Sequence, residues 1–570
     1  MGKKVIGLLM MIFTFIMASM IPAYAVDAST SVTVTLPVFK VTLNSTNMDN
    51  SYSKYPLIVY KDITYLPMTY SDCRYMGLES NWKGNQEGLS IDATDITAAY
   101  FSYSTKEKNS SSYKATIPTF PIKINGRLIN NSNEKYPILI FRDITYFPIT
   151  WQFAVDEFGW DYSFDSNNGL VINSHNIHLL QSAIPNDRAK DTEVMAIADG
   201  YVYYVGTNGR IMQSEIIPLN NLDSHGGLIA APTSKVIYQL PFNSLGDGKS
   251  YVLPGLYAED GKIYLTFHNG GATMGTDFLI LLNSDGATLI NDSGYVKKSF
   301  GDKNFQWWIG PAPGSGNLYM KTADAINSAE PGYDGWEKIG SPDYLYGWNW
   351  NINDMTDTES ASEGGTGSSY CDLIGDDLYL LAFDTRAAAD YIKNGGIKPT
   401  TGLYKVNIKT NETRRISDQE VTGFKVEGDY IYYHNRYVEL FKYKISEKKE
   451  YPITVKLARG NNFIERFEVL GSHIYFESGV DHGLYNSNYE TLGSSVRELK
   501  LTGSNKEYVA CTLSGNNEFP DRIILFDNTG RKVFRSSDDS YALTVEGNKV
   551  YYFNKSTNTI CIGDLNTAMK

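Results

Sequence analysis

The sequence predicts a mainly β protein: a small α+β module present in two copies, followed by a β-propeller of seven blades within a range of six to eight. Three observations predict it. A short hairpin phrase built on glycine and tyrosine recurs along the chain, a unit near the N-terminus returns about 81 residues later, and the aromatic content of 13% is led by 42 tyrosines. Tyrosine suits half-exposed strands because the ring packs while the hydroxyl stays wet. The phrase is plainest at Val426-Glu427-Gly428-Asp429-Tyr430-Ile431-Tyr432-Tyr433, answered by Leu440-Phe441-Lys442-Tyr443-Lys444-Ile445. Alternation with a period of two marks the strands, and the glycine supplies a turn that a side chain would obstruct.

In chain order, Met1 to Ala25 reads as an export signal: Lys3 and Lys4, an apolar run from Val5 to Met17, then Ala23-Tyr24-Ala25, which fits a peptidase site. The run is shorter than the roughly 20 residues of a membrane span, so the expectation is a secreted chain with no transmembrane span. No cysteine follows the run to take a lipid, and the tail carries no wall-sorting motif, which leaves free secretion or noncovalent wall association. Without Lys3 and Lys4 there remain 49 basic against 64 acidic residues, a formal charge of −15. That balance excludes nucleic acid as an expected partner, since phosphate binding rests on clustered Lys and Arg. Cys73, Cys371, Cys511 and Cys561 stand singly and form no disulfide framework; Cys511 and Cys561 read as buried free thiols, with a bridge between them left open as the alternative.

Residues 32–174 hold the duplication. Lys54-Tyr55-Pro56-Leu57-Ile58-Val59-Tyr60-Lys61-Asp62-Ile63-Thr64-Tyr65-Leu66-Pro67 returns as Lys135-Tyr136-Pro137-Ile138-Leu139-Ile140-Phe141-Arg142-Asp143-Ile144-Thr145-Tyr146-Phe147-Pro148. Each copy opens with a strand, Phe39 to Asn44 and Phe120 to Asn125, and Asn125-Gly126 signals a hairpin. A short helix follows, 69–76 and 150–158, which threonine can cap and Gly77 or Gly159 can end. Gly88-Leu89-Ser90-Ile91 and Gly169-Leu170-Val171-Ile172 close the copies. This order of strand, hairpin, D-x-T-Y-x-P, helix, glycine and closing strand resembles the copper amine oxidase N-terminal-like domain of secreted Gram-positive proteins. The resemblance covers about 140 residues and implies a stalk or attachment module without catalytic residues; the arginine usual ahead of the proline is absent from both copies.

Residues 175–190 read as a linker and 191–566 as the propeller. Glycine precedes tyrosine by three or four residues at Gly200/Tyr203, Gly261/Tyr264, Gly316/Tyr319, Gly375/Tyr379, Gly428/Tyr432, Gly471/Tyr475 and Gly547/Tyr551, spaced by 61, 55, 59, 53, 43 and 76 residues. A lone four-stranded sheet cannot bury both faces, and packing such sheets around an axis solves this while protecting their edges. The repeats are similar to a bacterial β-propeller family of unknown function related to the propeller of low-density-lipoprotein-receptor-related proteins, best at Gly200 to Val205, Gly428 to Tyr433, Gly471 to Phe476 and Gly547 to Phe553. That resemblance bears on fold and leaves function open, because propellers host many roles.

Chemistry is hard to find. An amine oxidase would need a tyrosine in Thr-x-x-Asn-Tyr-Asp/Glu and a His-x-His pair; Asn488-Tyr489-Glu490 fits the end of the first, but Tyr485 replaces the threonine and no His-x-His occurs, so no copper is expected. His175 and His178 read as a solvated pair. There is no G-x-S-x-G or H-E-x-x-H, and Gly248-Lys249-Ser250 lacks the upstream glycine of a phosphate loop. Asp376-Asp377 reads as a turn, because adjacent strand residues face opposite sides. Calcium at Asp354, Asp357 and Glu359 is weakly signalled, as their spacing lacks a calcium-loop pattern.

The densest candidate site is aromatic. Trp307, Trp308, Trp336, Trp348 and Trp350 lie close together with Tyr344 and Tyr346 among them, in loop-like text. Open rings there would stack on sugars; the alternative is that they plug an irregular third blade. The sequence therefore points to a secreted, noncatalytic surface protein that binds an extracellular ligand such as a wall or matrix glycan. The alternatives are an extracellular carbohydrate-active hydrolase or lyase with acids at the propeller axis, and a scaffold that docks a surface protein.

Overall fold

Equivalent strands of the two N-terminal copies pair with each other, residue against residue. The computed structural model describes residues 30–189, 192–217, 232–241, 254–259, 261–269, 276–283, 285–291, 295–308, 316–322, 336–349, 366–435, 439–453, 463–516 and 518–569. The expected export signal over residues 1–25 and the Asp354, Asp357 and Glu359 calcium candidate lie outside these residues.

The first copy comprises β1 (Ser31–Thr35), β2 (Val41–Leu43), β3 (Thr46–Asn47), β4 (Ile58–Tyr60), β5 (Ile63–Pro67), helix α1 (Tyr70–Tyr75), β6 (Leu78–Trp82) and β7 (Leu89–Ala93). The second repeats it with β8 (Ser112–Thr116), β9 (Ile122–Ile124), β10 (Arg127–Leu128), β11 (Leu139–Phe141), β12 (Ile144–Pro148), a wider helical turn over Gln152–Glu157, β13 (Asp161–Asp165) and β14 (Gly169–Asn173). Strands β1, β4 and β5 join β8, β11 and β12 in one closed barrel. Thr33 faces Lys114 across β1–β8 and Leu66 faces Phe147 across β5–β12. In both pairs a residue meets its own counterpart 81 positions later, which defines a local twofold axis. Tyr65 and Tyr146, from the repeated D-x-T-Y-x-P, fill the barrel, and burial pushes both hydroxyls up in pKa.

The outer sheets are exchanged between copies. Strand β7 runs parallel to β9 of the second copy, and β14 parallel to β2 of the first. Neither copy completes its sheets alone. The exchange explains the glycine that opens each closing strand: a Cβ on Gly88 would sit 1.8 Å from Pro121 O, and one on Gly169 2.0 Å from Lys40 O. The tight turns Lys61-Asp62 and Arg142-Asp143 place both residues at positive φ, as two-residue hairpins require. Thr69 caps α1 by accepting from Asp72 N–H at 3.1 Å, and Gly77 and Gly159 end the two helices left-handed.

Among the described residues eight blade-like sheets of four or five strands follow, one more than the favoured seven and within the expected range. Blades 1 to 8 span 195–239, 255–291, 295–339, 344–415, 421–453, 464–493, 496–536 and 540–564. The first strands of neighbouring blades lie against one another, as between blades 1 and 2, 8 and 1, and 6 and 7, so these are the inner strands about the axis. The count fell short because two blades spell their turn differently. Blade 3 turns at Gly301 ahead of Phe305, and blade 7 at Gly503 ahead of Tyr508, while Gly316 packs on Leu345 at a blade junction.

The stretch 175–190 is not a free linker. It contains β15 (Leu179–Ala183), which pairs with Thr559–Asp564 from the chain's far end and completes blade 8. Closing a ring this way joins its two ends by backbone hydrogen bonds, while each blade keeps only short, protected edges. The module also packs against the ring. Thr97 bridges Ser536, Ala99 N–H donates to Asp538 at 2.9 Å, and Arg535 reaches Asp95, Glu79 and Asp521 at 2.7, 3.1 and 2.9 Å. All four cysteines are free; Cys511 and Cys561 are fully buried and not bridged.

Candidate functional site at the propeller axis

The inner strands carry bulges at one end of the ring. Their ladders slip between Val421 and Gly423 in blade 5, Ile464 and Arg466 in blade 6, Val496 and Glu498 in blade 7, and Tyr541 and Thr544 in blade 8. A bulge leaves one residue unpaired and re-aims its side chain, which is why bulges gather beside functional sites. In blade 7 the extra residue is Arg497. Its carbonyl accepts from Arg466 of the neighbouring blade at 2.8 Å, and its guanidinium pairs with Asp539 at 2.6 Å.

Beside these bulges lies a cavity of about 300 Å³ between the inner strands of blades 7, 8, 1 and 2. Its polar lining includes Arg497, Glu498, Lys500, Glu193, Thr512 and Ser540, with Tyr257 and Tyr541 as aromatic walls. Tyr257 stacks on Tyr264 with centroids 5.4 Å apart and leaves 40% of itself exposed. Burial pushes the Tyr257 and Tyr541 hydroxyls up to about 12, so both are neutral hydrogen-bonding groups at ordinary pH. Arg188 braces the wall by donating to Tyr541 at 3.2 Å while lying over Phe553. Every carboxylate of the mouth is engaged: Glu498 with Lys500 at 2.7 Å, Glu193 with Lys555 at 2.5 Å and Asp539 with Arg497. Charges of both signs on a rigid rim suit a polar ligand with hydroxyl, amide or carboxylate groups.

The aromatic cluster singled out from sequence is largely core. Trp307 is 0% exposed, Tyr346 1%, Trp336 7% and Tyr344 9%, so none offers an open face to a sugar. They seal the seam between blades 3 and 4. Trp307 Nε1–H donates to Ser368 O at 3.0 Å, the Tyr346 hydroxyl bonds Thr413 Oγ1 at 2.6 Å, and Tyr344 meets Tyr404 edge-on. The inner strand of blade 4 is split into Tyr344–Tyr346 and Cys371–Ile374, both paired to Asp377–Asp384, and the buried rings occupy the split. Trp308 is half-buried; the Trp348 side chain and all of Trp350 lie outside the described residues.

Other sequence candidates are accounted for locally. Asp376 pairs with Lys409 and Asp377 with Lys405 at 2.7 and 2.5 Å, beside the blade 4 turn. His175 meets Asp161 at 3.3 Å and His178 meets Ser174 O at 2.8 Å. Among the described residues no group of three or more His, Cys, Asp or Glu side chains is placed to hold a metal ion. Arg497 and Tyr257 were not foreseen, because the one stands in an irregularity of pairing and the other in a strand whose tyrosines look alike.

His434 is the penultimate residue of the second strand of blade 5 (Tyr430–Asn435), next to the bulge. It is buried, bonds Thr422 Oγ1 at 3.0 Å and meets Phe467 edge-on. Burial holds the imidazole neutral, lowering its pKa from 6.5 to about 4. The unfolded chain therefore takes up this proton below about pH 6.5 while the folded chain resists until about 4, so stability falls as pH drops through that window and is unaffected above it. A His434→Gln variant is expected to show a shallower decline of Tm between pH 6.5 and 4; an unchanged slope would assign the acid sensitivity elsewhere.

No family model and no curated protein matches the chain. Among solved structures it is similar to BamB from Moraxella catarrhalis, at 12% identity and TM-score 0.31 over 68% of this chain and 97% of that one. It is also similar to Sqt1 from Saccharomyces cerevisiae, at 11% and 0.34 over 67% and 98%. A third is an oligogalacturonate lyase from Vibrio parahaemolyticus, at 12% and 0.30 over 56% and 94%.

Proposed function

We propose that the protein is a secreted, noncatalytic binding protein whose propeller takes a polar extracellular ligand, a glycan of the wall or matrix, in the axial cavity. The observation that carries this reading is the lining itself. One open ring, Tyr257 of blade 2, stands with Arg497, Glu498, Lys500 and Thr512 of blade 7, Ser540 and Thr544 of blade 8 and Glu193 ahead of blade 1, which is the composition that stacks on a sugar face and bonds its hydroxyls. Engagement of Glu498, Glu193 and Asp539 in ion pairs supports binding over hydrolysis or elimination, since each is committed to a cation. The export signal and the resemblance of residues 32–174 to a Gram-positive attachment module support a surface location.

The test is binding to purified wall polysaccharide by the full chain and by an Arg497→Ala, Tyr257→Ala double variant, which is expected to bind at least tenfold more weakly. Unchanged binding would remove the cavity from the reading. Release of product from a panel of glycans would establish the lyase or hydrolase alternative instead, and retention of a surface protein without sugar would establish the scaffold one.

A further inference from the structure

The four most exposed aromatic rings among the described residues are two pairs of counterparts on the N-terminal module. Trp151 is 63% exposed and Tyr70, its counterpart in the first copy, 52%; Phe164 is 62% exposed and Trp82 51%. The last two match through their partners, Phe164 facing Leu170 and Trp82 facing Leu89. Large rings in water gain nothing for folding, yet both copies keep a ring at both positions although the ring types have diverged. Retention of exposure without retention of identity is the mark of a surface used for contact.

The rings form a row. In the second copy Trp151 lies 6.4 Å from Tyr162, and Phe164, two residues on along the same face of β13, lies 5.2 Å from Phe39. In the first copy Arg74 lies 4.1 Å from the Tyr70 ring and reaches Ser80, and Trp82 meets Phe120 at 4.8 Å. Because the outer sheets are exchanged, each row ends on a ring from the other copy. The chain's formal charge of −13 disfavours an anionic membrane or polyanion as the occupant. Glu79, which contacts the propeller, stands on the opposite face of β6 from Ser80 and Trp82, so docking leaves the row open.

We propose that the module carries two equivalent stacking platforms for a neutral polysaccharide chain, one on each copy. An extended row of rings fits a ribbon of pyranose rings, whose faces are apolar. Two platforms on one rigid module convert the second contact into an intramolecular one, so a repeating polymer is held far more tightly than its oligomer. This site is separate from the axial cavity and stands whether or not that cavity binds a glycan.

The test is co-sedimentation of the intact protein with cellulose, chitin, xylan and β-1,3-glucan particles. Wild type is expected on at least one; Trp82→Ala and Trp151→Ala each weaken retention several-fold, and together at least a hundredfold. Equal retention of the double variant, or no retention of wild type on any of the four, would overturn the proposal. A concentration-dependent dimer abolished by the same substitutions would overturn it too, by assigning the rows to a second copy. A measurement without substitution guards against misfolding: soluble oligomer of the retained polysaccharide is expected to protect Trp82 and Trp151 from N-bromosuccinimide oxidation, located by peptide mapping, and full oxidation in its presence counts against the platforms.

Discussion

Gly347→Ala is expected to destabilise the protein by about 3 kcal/mol, combining the cost of a left-handed non-glycine residue with that of overpacking. Gly347 sits at φ +73°, and its Cβ would fall 1.9 Å from Nε1 and 2.0 Å from Cδ1 of Trp307. Neither partner can retreat. Trp307 is fully buried and bonded to Ser368 O, while Gly347 N–H donates to Leu381 O at 2.8 Å and its carbonyl accepts from Ser368 N–H at 2.6 Å. Alanine must either break this lattice or expel the indole from the seam of blades 3 and 4. Gly428→Ala is the control: its φ is +58°, but its Cβ would meet nothing within 4 Å, so only the backbone cost of about 1 kcal/mol is expected. Urea denaturation of the two variants separates the terms, and equal losses would show that the Trp307 contact contributes nothing.

Arg535→Ala is expected to cost about 3 kcal/mol, the scale seen when one member of a partly buried charge pair is removed, and to loosen the module from the ring. The side chain is 20% exposed and spans three carboxylates, Asp521 on its own blade and Asp95 and Glu79 on the module. Without it Asp521, whose side chain is 7% exposed, keeps Lys532 at 3.7 Å as its one ion-pair partner among the described residues. Lysine cannot replace the fork, since one ammonium cannot bond three carboxylates in fixed directions, so Arg535→Lys should fall between wild type and alanine. Limited proteolysis in 94–100 and 175–178 reads the loosening: cleavage should quicken for Arg535→Ala, and an unchanged rate would mean that the Thr97–Ser536 bridge and the Asp538–Ala99 bond suffice.

These two sites show how the chain divides its labour. The module is no free stalk, because Arg535 and the Thr97 bridge couple it to blade 7 while β15 carries the chain straight from the module into blade 8. A polymer held on the module and a ligand in the axial cavity would therefore be borne by one continuous body.

Much of the architecture was written locally. The 81-residue repeat, the glycine turns at Gly200, Gly428 and Gly547 and the tyrosine alternation follow from short-range rules of backbone conformation and strand period, and they determined a mainly β chain with a doubled module and a propeller. Blade 7 escaped because its turn runs from Gly503 to Tyr508, a spacing outside the phrase. What only the tertiary structure decided was who lies next to whom. The exchange of β7 and β14 between copies, the recruitment of β15 to the far end of the chain, the burial of Trp307 and the gathering of Arg497 with Tyr257 at the axis all depend on contacts between residues far apart in sequence. A tryptophan reads the same in a sequence whether it faces water or a neighbouring sheet; its environment is set by packing, and packing is a property of the assembled ring.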